Sequence, residues 1–137
     1  MALRDKLRER VQPFLEEGEQ VHAVIPAQTG MNPMAILLVG ALIAAFVNKY
    51  WLLVATDRRW LVLKQSKVSF KPKALDRSLD RSATIGPLSG LWGKSTILGG
   101  ETTYVHKRFH KDAAEADART AGQAVGYGYV APAAPAA

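Results

Sequence analysis

One stretch of the chain limits its possible folds more than any other: Asn32–Lys49, which reads NPMAILLVGALIAAFVNK. Between Pro33 and Val47 it carries no charge and almost no polar group. A helix that crosses a membrane needs roughly 20 apolar residues, whereas a run of about 10 to 14 is more often a buried or re-entrant segment. This run falls between the two lengths, so we expect membrane contact but not necessarily a complete crossing.

The residues at the two ends of the apolar run indicate a helix. Asn32 suits an N-cap and Pro33 the first helical position, while Asn48 and Lys49 suit the end, where a cation complements the helix dipole. Gly40 permits a bend or close packing. The run begins too deep in the chain for a signal peptide. The side chains expected to contact the membrane are Ile36, Leu37, Leu38, Val39, Leu42, Ile43 and Phe46.

The position of the run also raises a question of topology. A single crossing would place the strand-like segment EQVHAVIPA, Glu19–Ala27, on one side of the membrane and everything after Lys49 on the other. If both belong to one sheet, a single crossing is impossible. The run then dips into one leaflet and returns, or lies buried in protein or in an oligomer, or the N-terminal part is a separate piece. We favour membrane contact.

The N-terminal segment predicts an amphipathic helix from Ala2 to Glu17, with apolar residues on one face and charges on the other. Pro13 should kink or end this helix, and Gly18 is a plausible stop. Glu19–Ala27 alternates enough to predict a strand, ended by Pro26.

Two apolar runs, Tyr50–Ala55 and Trp60–Leu63, predict the strands of a hairpin with Thr-Asp-Arg-Arg at its turn. We expect Asp57 to brace this turn by accepting hydrogen bonds from nearby backbone amides. Arg58 and Arg59 should then point toward solvent, lipid or a partner.

The rest of the chain predicts a second hairpin and a last helix. STILGGETTYVHKRF should form the hairpin, with Gly99-Gly100 in a tight turn, and Ala113–Ala121 a helix that begins near His110 or Lys111. Ser66–Ser82 is basic and polar and contains Pro72, which predicts an exposed connection. Ala83–Leu88 and Leu91–Ile97 are weaker strand candidates.

The order of these elements predicts an α+β, mainly β fold: an antiparallel sheet or partly open barrel closed by a C-terminal helix. We expect an N-terminal helix over 1–18, one domain over 19–121 that contains the apolar insertion 33–47, and a disordered tail over 122–137, which is rich in Gly, Ala and Pro.

The segment YWLLVATDRRWLVLK is similar to the strand-turn-strand signature of bacterial pleckstrin-homology-like (PH-like) domains. The opening LRDKLRERVQPFLEEGEQVHAVIPAQTG and the late GLWGKSTILGGETTYVHKRFHKDAAEAD look like small actinobacterial members of that group. The resemblance implies a strongly bent antiparallel sheet capped by a C-terminal helix. It also implies binding, scaffolding or membrane association, and it carries no fixed catalytic residue onto this chain.

The charge of the chain is concentrated in its middle. Lys49–Lys111 holds thirteen basic residues against four acidic ones, while the whole chain has a net charge of +6. Such a surface attracts phosphate-bearing partners, although a merely solubilising surface explains it about equally well. The candidate binding residues are Arg58, Arg59, Lys64, Lys67, Lys71 and Lys73.

The sequence offers little for catalysis or metal binding. Cysteine is absent, and His106 and His110 straddle a predicted strand-helix junction without a third ligand nearby. The segment GLWGKST lacks the first glycine of a phosphate-binding loop, and Ser89 lacks a nucleophile motif. Asp76 and Asp80 are each followed by arginine, which favours ion pairs. We therefore predict no enzyme activity, no metal and no cofactor.

The leading hypothesis is a non-enzymatic binding or scaffold module at the cytoplasmic face of the cell membrane, with a cytoplasmic location as the alternative. Its partner would be anionic lipid or an acidic protein surface, and a homo-oligomer is compatible with this function. A second hypothesis is a small structural subunit of a larger assembly. A third, single-stranded nucleic-acid binding with Trp51, Trp60 or Trp92 stacking on bases, lacks any supporting motif.

Overall fold

The computed structural model describes residues 3–30, 32–35, 40, 48–66 and 71–119. The seven residues expected to contact the membrane, Lys67 and the tail over 122–137 lie outside these ranges.

Six strands form one open antiparallel sheet in the order β4-β3-β2-β1-β6-β5. A helix, α1, precedes the sheet, and a second, α2, follows it, each next to a single 3-10 turn. These elements confirm the α+β, mainly β class and the terminal helices. Their bounds are α1 Leu3–Val11, a 3-10 turn Gln12–Phe14, β1 Val21–Thr29, β2 Lys49–Thr56, β3 Arg59–Gln65, β4 Pro72–Asp80, β5 Trp92–Ser95, β6 Thr103–His106, a 3-10 turn Lys107–Phe109 and α2 His110–Ala118.

The core is built around the β2–β3 hairpin that the sequence predicts. Every residue of Trp51–Thr56 and of Trp60–Leu63 is buried. Strands covered on both faces read as continuous apolar runs and not as an alternating pattern, which explains the sequence of this hairpin. Ala113 and Ala116 of α2 complete the core, since small side chains let the helix approach the sheet closely.

β1 and β2 pair along their whole length, and this pairing decides how the apolar run is attached. Thr29, the last residue of β1, lies opposite Lys49, the first residue of β2. The chain therefore leaves the sheet and returns to it at neighbouring points. Both flanks belong to one sheet, so a single membrane crossing between them is excluded. We call this end of the sheet, where β1 finishes and β2 begins, the insertion end.

The predicted start of a helix at Pro33 is confirmed. The Oδ1 of Asn32 accepts a hydrogen bond from the backbone N of Met34 at 2.9 Å, as an N-cap does. Lys49, by contrast, was predicted to end a helix and instead begins β2. Gly40 has a φ of +95°, so no uninterrupted right-handed helix passes through it. Among the described residues, no helix has the length and apolar character needed to cross a membrane.

Pro26 does not end β1 as predicted, because the strand continues to Thr29. Pro26 pairs with Leu52 of β2. On the other side of β1, the ladder to β6 involves only Gln28 and Thr29. The missing N–H of proline is tolerated where one side of a strand is not engaged in a ladder.

The segment Ser66–Ser82 was predicted to be an exposed connection, and that prediction is wrong for most of it. Pro72–Asp80 forms β4, an edge strand paired with β3. Residues 73–78 are all exposed, so the strand lacks the apolar alternation on which strand prediction depends. Its charges and its proline at the first position are features of protected sheet edges.

The second hairpin forms with a longer loop than expected. β5 ends at Ser95 and β6 starts at Thr103, which leaves 96–102 as the loop that contains Gly99 at a φ of +78°. No strand forms over Ala83–Leu88. The N-terminal helix ends at Val11, and the 3-10 turn that contains Pro13 follows it. The C-terminal helix begins at His110, as predicted.

Candidate functional site

The predicted binding residues fall at opposite ends of the sheet. Arg58 and Arg59 lie at the β2–β3 turn, which we call the hairpin end. Lys64 and Lys73 lie where β3 ends and β4 begins, and Lys71 directly precedes β4, so these three belong to the insertion end. Since β2 has eight residues, the two ends are about 26 Å apart.

At the hairpin end, Thr56 is the residue that braces the turn. Its Oγ1 accepts hydrogen bonds from the backbone N of Arg58 and of Arg59, both at 3.1 Å, and donates to Glu19 at 2.6 Å. Asp57 makes a different contact from the hydrogen bonds within the turn that the sequence predicts for it. Its Oδ1 accepts a hydrogen bond from the backbone N of Gln20 at 3.0 Å, which ties the turn to the segment before β1.

Arg59 is engaged inside the protein. Its Nε and Nη2 each donate to the carboxylate of Glu19 at 3.0 Å, and the Glu19 side chain is 0% exposed. Burial acts to raise the pKa of Glu19, but hydrogen bonds from Arg59 and Thr56 outweigh it and hold that pKa below its ordinary value. The same pair raises the pKa of Arg59. This charge pair stabilises the fold of the hairpin end.

Arg58 also has partners on the segment that joins α1 to β1. Its Nη2 donates to the carbonyl oxygen of Glu17 at 3.2 Å, and its Nη1 lies 3.6 Å from the Glu16 carboxylate. The Arg58 side chain is nevertheless 31% exposed. Both arginines therefore contact residues of their own chain. The sequence predicts that they point outward, but Arg59 is engaged internally and Arg58 is only partly exposed.

At the insertion end, three lysines surround a cleft of about 410 Å³. They come from three strands that reach this end: Lys49 from β2, Lys64 from β3 and Lys73 from β4. Lys64 is 56% exposed, and its nearest carboxylate, that of Asp76, is 3.8 Å away. Because the Asp76 carboxylate compensates the positive charge of these lysines only weakly, the cleft suits an anion that carries several oxygen atoms.

Trp51 forms part of the same cleft. Its ring is 3% exposed, its Nε1 donates to the Oγ1 of Thr29 at 2.9 Å, and the guanidinium of Arg77 lies 5.9 Å from its centre. Trp60 is 0% exposed. Two of the three tryptophans considered for base stacking are thus core residues. The third, Trp92, is half-buried and stacks edge-on against His106 at 5.0 Å.

The three histidines serve separate structural contacts. The Nδ1 of His106 accepts a hydrogen bond from the backbone N of Arg108, and His110 Nε2 lies 2.8 Å from the carbonyl oxygen of Val105. His22 is buried beside Arg81. In the described part of the chain, no three His, Cys, Asp or Glu residues come together as metal ligands.

Lys49 at the insertion end and Arg81 at the hairpin end were not among the candidate binding residues. Lys49 was assigned to a helix end, although its position directly after the apolar run could have indicated the insertion end. The sequence predicts ion pairs where arginines follow Asp76 and Asp80, yet Arg81 is only 4% exposed, while Arg77 is exposed. Arg81 lies in the turn after β4, where it donates to the carbonyl oxygens of Thr56 and Ala116, and the sequence does not reveal these long-range contacts.

Comparison of the chain with protein-family models, with curated proteins and with solved structures gives no match.

Proposed function

We propose that this chain is a non-enzymatic PH-like module that associates with the cytoplasmic face of a membrane through its insertion end. The proposal rests on two features that lie together at the insertion end. The apolar run leaves and re-enters the sheet there, at Thr29 and Lys49. The cleft lined by Lys49, Lys64 and Lys73, which we call the lysine cleft, opens at the same end. Apolar and basic groups side by side are what an anionic bilayer surface binds.

The attachment of the run favours a shallow mode of contact. Because Thr29 and Lys49 are paired neighbours, the run serves as an insertion that enters and leaves a membrane from the same side. The lysines around its base would then lie at headgroup level, with their ammonium groups against lipid phosphates.

The basic groups supply a measurable part of this binding. Lys49, Lys64, Lys71 and Lys73 belong to the insertion end, and each basic residue near an anionic leaflet contributes about 1 kcal/mol. Replacing Lys64 and Lys73 together by glutamine should therefore weaken vesicle binding by about 2 kcal/mol, or more than tenfold.

The experiment is a vesicle co-sedimentation assay with phosphatidylglycerol and with phosphatidylcholine, each at low and high salt. We expect strong, salt-sensitive binding to the anionic vesicles and a loss in the Lys64→Gln/Lys73→Gln variant. The matched control is Lys6→Gln/Lys111→Gln, which removes the same charge from the exposed faces of α1 and α2. Equal binding to the two lipids, or an equal loss in the control, would refute the electrostatic part of the proposal.

A further inference from the structure

The hairpin end contains a second basic cleft, which the proposed membrane contact does not use. It has a volume of about 510 Å³ and is lined by Arg58, Arg59, Arg81, Arg119, Asp80 and Asp117 among others. Its four arginines come from the turn, from the residue after β4 and from the residue after α2, and two aspartates share the lining. We call it the arginine cleft.

Arg81 is the unusual member of this cleft, because it is a buried cation that forms no ion pair with any described residue. Its Nε donates to the carbonyl oxygen of Thr56 at 2.6 Å and its Nη2 to that of Ala116 at 2.8 Å. Its guanidinium also lies 5.3 Å from the ring centre of Trp60. Within the described ranges, no carboxylate comes within ion-pair distance of Arg81.

One nitrogen of Arg81 stands apart from the others. Arg81 is only 4% exposed, and its buried Nη1 makes no hydrogen bond to any residue in the described part of the chain. Leaving a buried charged donor unpaired destabilises a protein, so such a group favours the binding of an acceptor such as an anion.

The charges around Arg81 favour an anion. Burial lowers the pKa of Arg81, Asp117 opposes this effect, and the positive charge of Arg119 lowers the pKa further. Asp117 is already engaged, because its two carboxylate oxygens accept hydrogen bonds from the backbone N of Ile85 and of Gly86, both at 2.8 Å. An anion between Arg81 and Arg119 would relieve their mutual repulsion.

We propose that the arginine cleft binds a soluble phosphate-bearing anion, with Arg81 and Arg119 as its principal ligands and Arg58 at the rim. Guanidinium groups present paired N–H donors that match phosphate oxygens, and a doubly charged group suits several converging arginines. The soluble source follows from the proposed function: the cleft is about 26 Å from the insertion end, too far to touch the same bilayer surface.

The test uses inorganic phosphate as the probe and the full chain. Isothermal titration with sodium phosphate, at ionic strength fixed by sodium chloride, should give saturable binding to the unmodified chain. Arg119→Gln should weaken the Kd for phosphate about tenfold, as expected for the loss of a charge-assisted hydrogen bond. Lys6→Gln, on the exposed face of α1 and in neither cleft, is the control and should change that Kd less than twofold.

Vesicle binding separates this site from the lysine cleft. Arg119→Gln should bind phosphatidylglycerol vesicles like the unmodified chain, whereas Lys64→Gln should bind them more weakly. If Arg119→Gln instead loses vesicle binding, the arginine cleft faces lipid and the inference of a soluble anion is wrong, while the membrane proposal would need a different orientation.

A second measurement does not depend on a variant of the buried arginine. In a ¹⁵N NMR titration, the guanidinium Nε–H signal of Arg81 should shift with phosphate and saturate at the same concentration as the calorimetric signal. Equal shifts with chloride, or no saturable shift, would overturn the proposal.

Discussion

Glu19 shows how single residues organise the hairpin end. Its buried carboxylate receives two hydrogen bonds from Arg59 and one from Thr56, which in turn holds the turn amides. The TDRR segment thus joins the β2–β3 turn to the chain before β1. Its polar residues are explained by this joint, whatever the protein binds.

The lowered pKa of Glu19 predicts a specific dependence of stability on pH. A carboxyl group whose pKa is lower in the folded than in the unfolded protein stabilises the fold above the unfolded value. That contribution is fully present above an ordinary glutamate pKa of 4.5 and is lost as pH falls through the lower folded value. Glu19→Gln should therefore reduce the free energy of unfolding by about 2 kcal/mol at pH 7 and by much less at pH 3.

Urea denaturation of both proteins at pH 7, 5 and 3 measures this difference. Glu9→Gln is the matched control, because Glu9 lies on the exposed face of α1. A difference between Glu19→Gln and the unmodified chain that stays constant down to pH 3 would contradict the role assigned to the Glu19–Arg59 pair.

At the level of elements, the relation between β1 and β2 makes the apolar run separable from the sheet. Thr29 and Lys49 face each other, with Gly30 and Asn48 as the next residues outward. Deleting residues 31–47 would leave Gly30-Asn48 as a two-residue loop between paired strands, which is a favoured hairpin turn. Gly30 already has a φ of +111°.

We expect the chain that lacks residues 31–47 to keep its sheet and to lose binding to anionic vesicles. Far-UV circular dichroism and cooperative urea unfolding report on the sheet, and co-sedimentation reports on the membrane. The Lys64→Gln/Lys73→Gln variant with the run intact shows how much of the loss is electrostatic. A deletion variant that still binds vesicles as the full chain does would remove the apolar run from the proposed function.

Elements differed in how far the sequence could predict them. The β2–β3 hairpin was predictable because apolar and β-branched residues fill both strands and polar residues mark the turn. β4 was not, since a strand exposed on both faces has no apolar pattern, and Arg81 in the turn after it is buried through contacts with Thr56 and Ala116 that the sequence does not reveal. The arginine cleft is lined by residues as distant in the sequence as 58 and 119, and their spacing does not reveal that they line one cleft.

At the scale of the whole molecule, the two basic clefts lie at opposite ends of the strands. If the insertion end lies on the membrane, the hairpin end and the arginine cleft face away from it. The chain has no cysteine, so single-cysteine variants can report this orientation without background labelling. Thr102 lies beside the insertion end, one residue before β6, and Ser82 follows β4 at the hairpin end; both are exposed.

We expect an environment-sensitive fluorophore on Thr102→Cys to shift to shorter wavelength on phosphatidylglycerol vesicles and to be quenched by a lipid-bound quencher. The same fluorophore on Ser82→Cys should do neither, because about 26 Å of sheet separates the two ends. Ser89→Cys, on an exposed loop before β5, is the control for labelling itself. Quenching at Ser82 but not at Thr102 would reverse the orientation, and the arginine cleft would then be the surface that meets lipid.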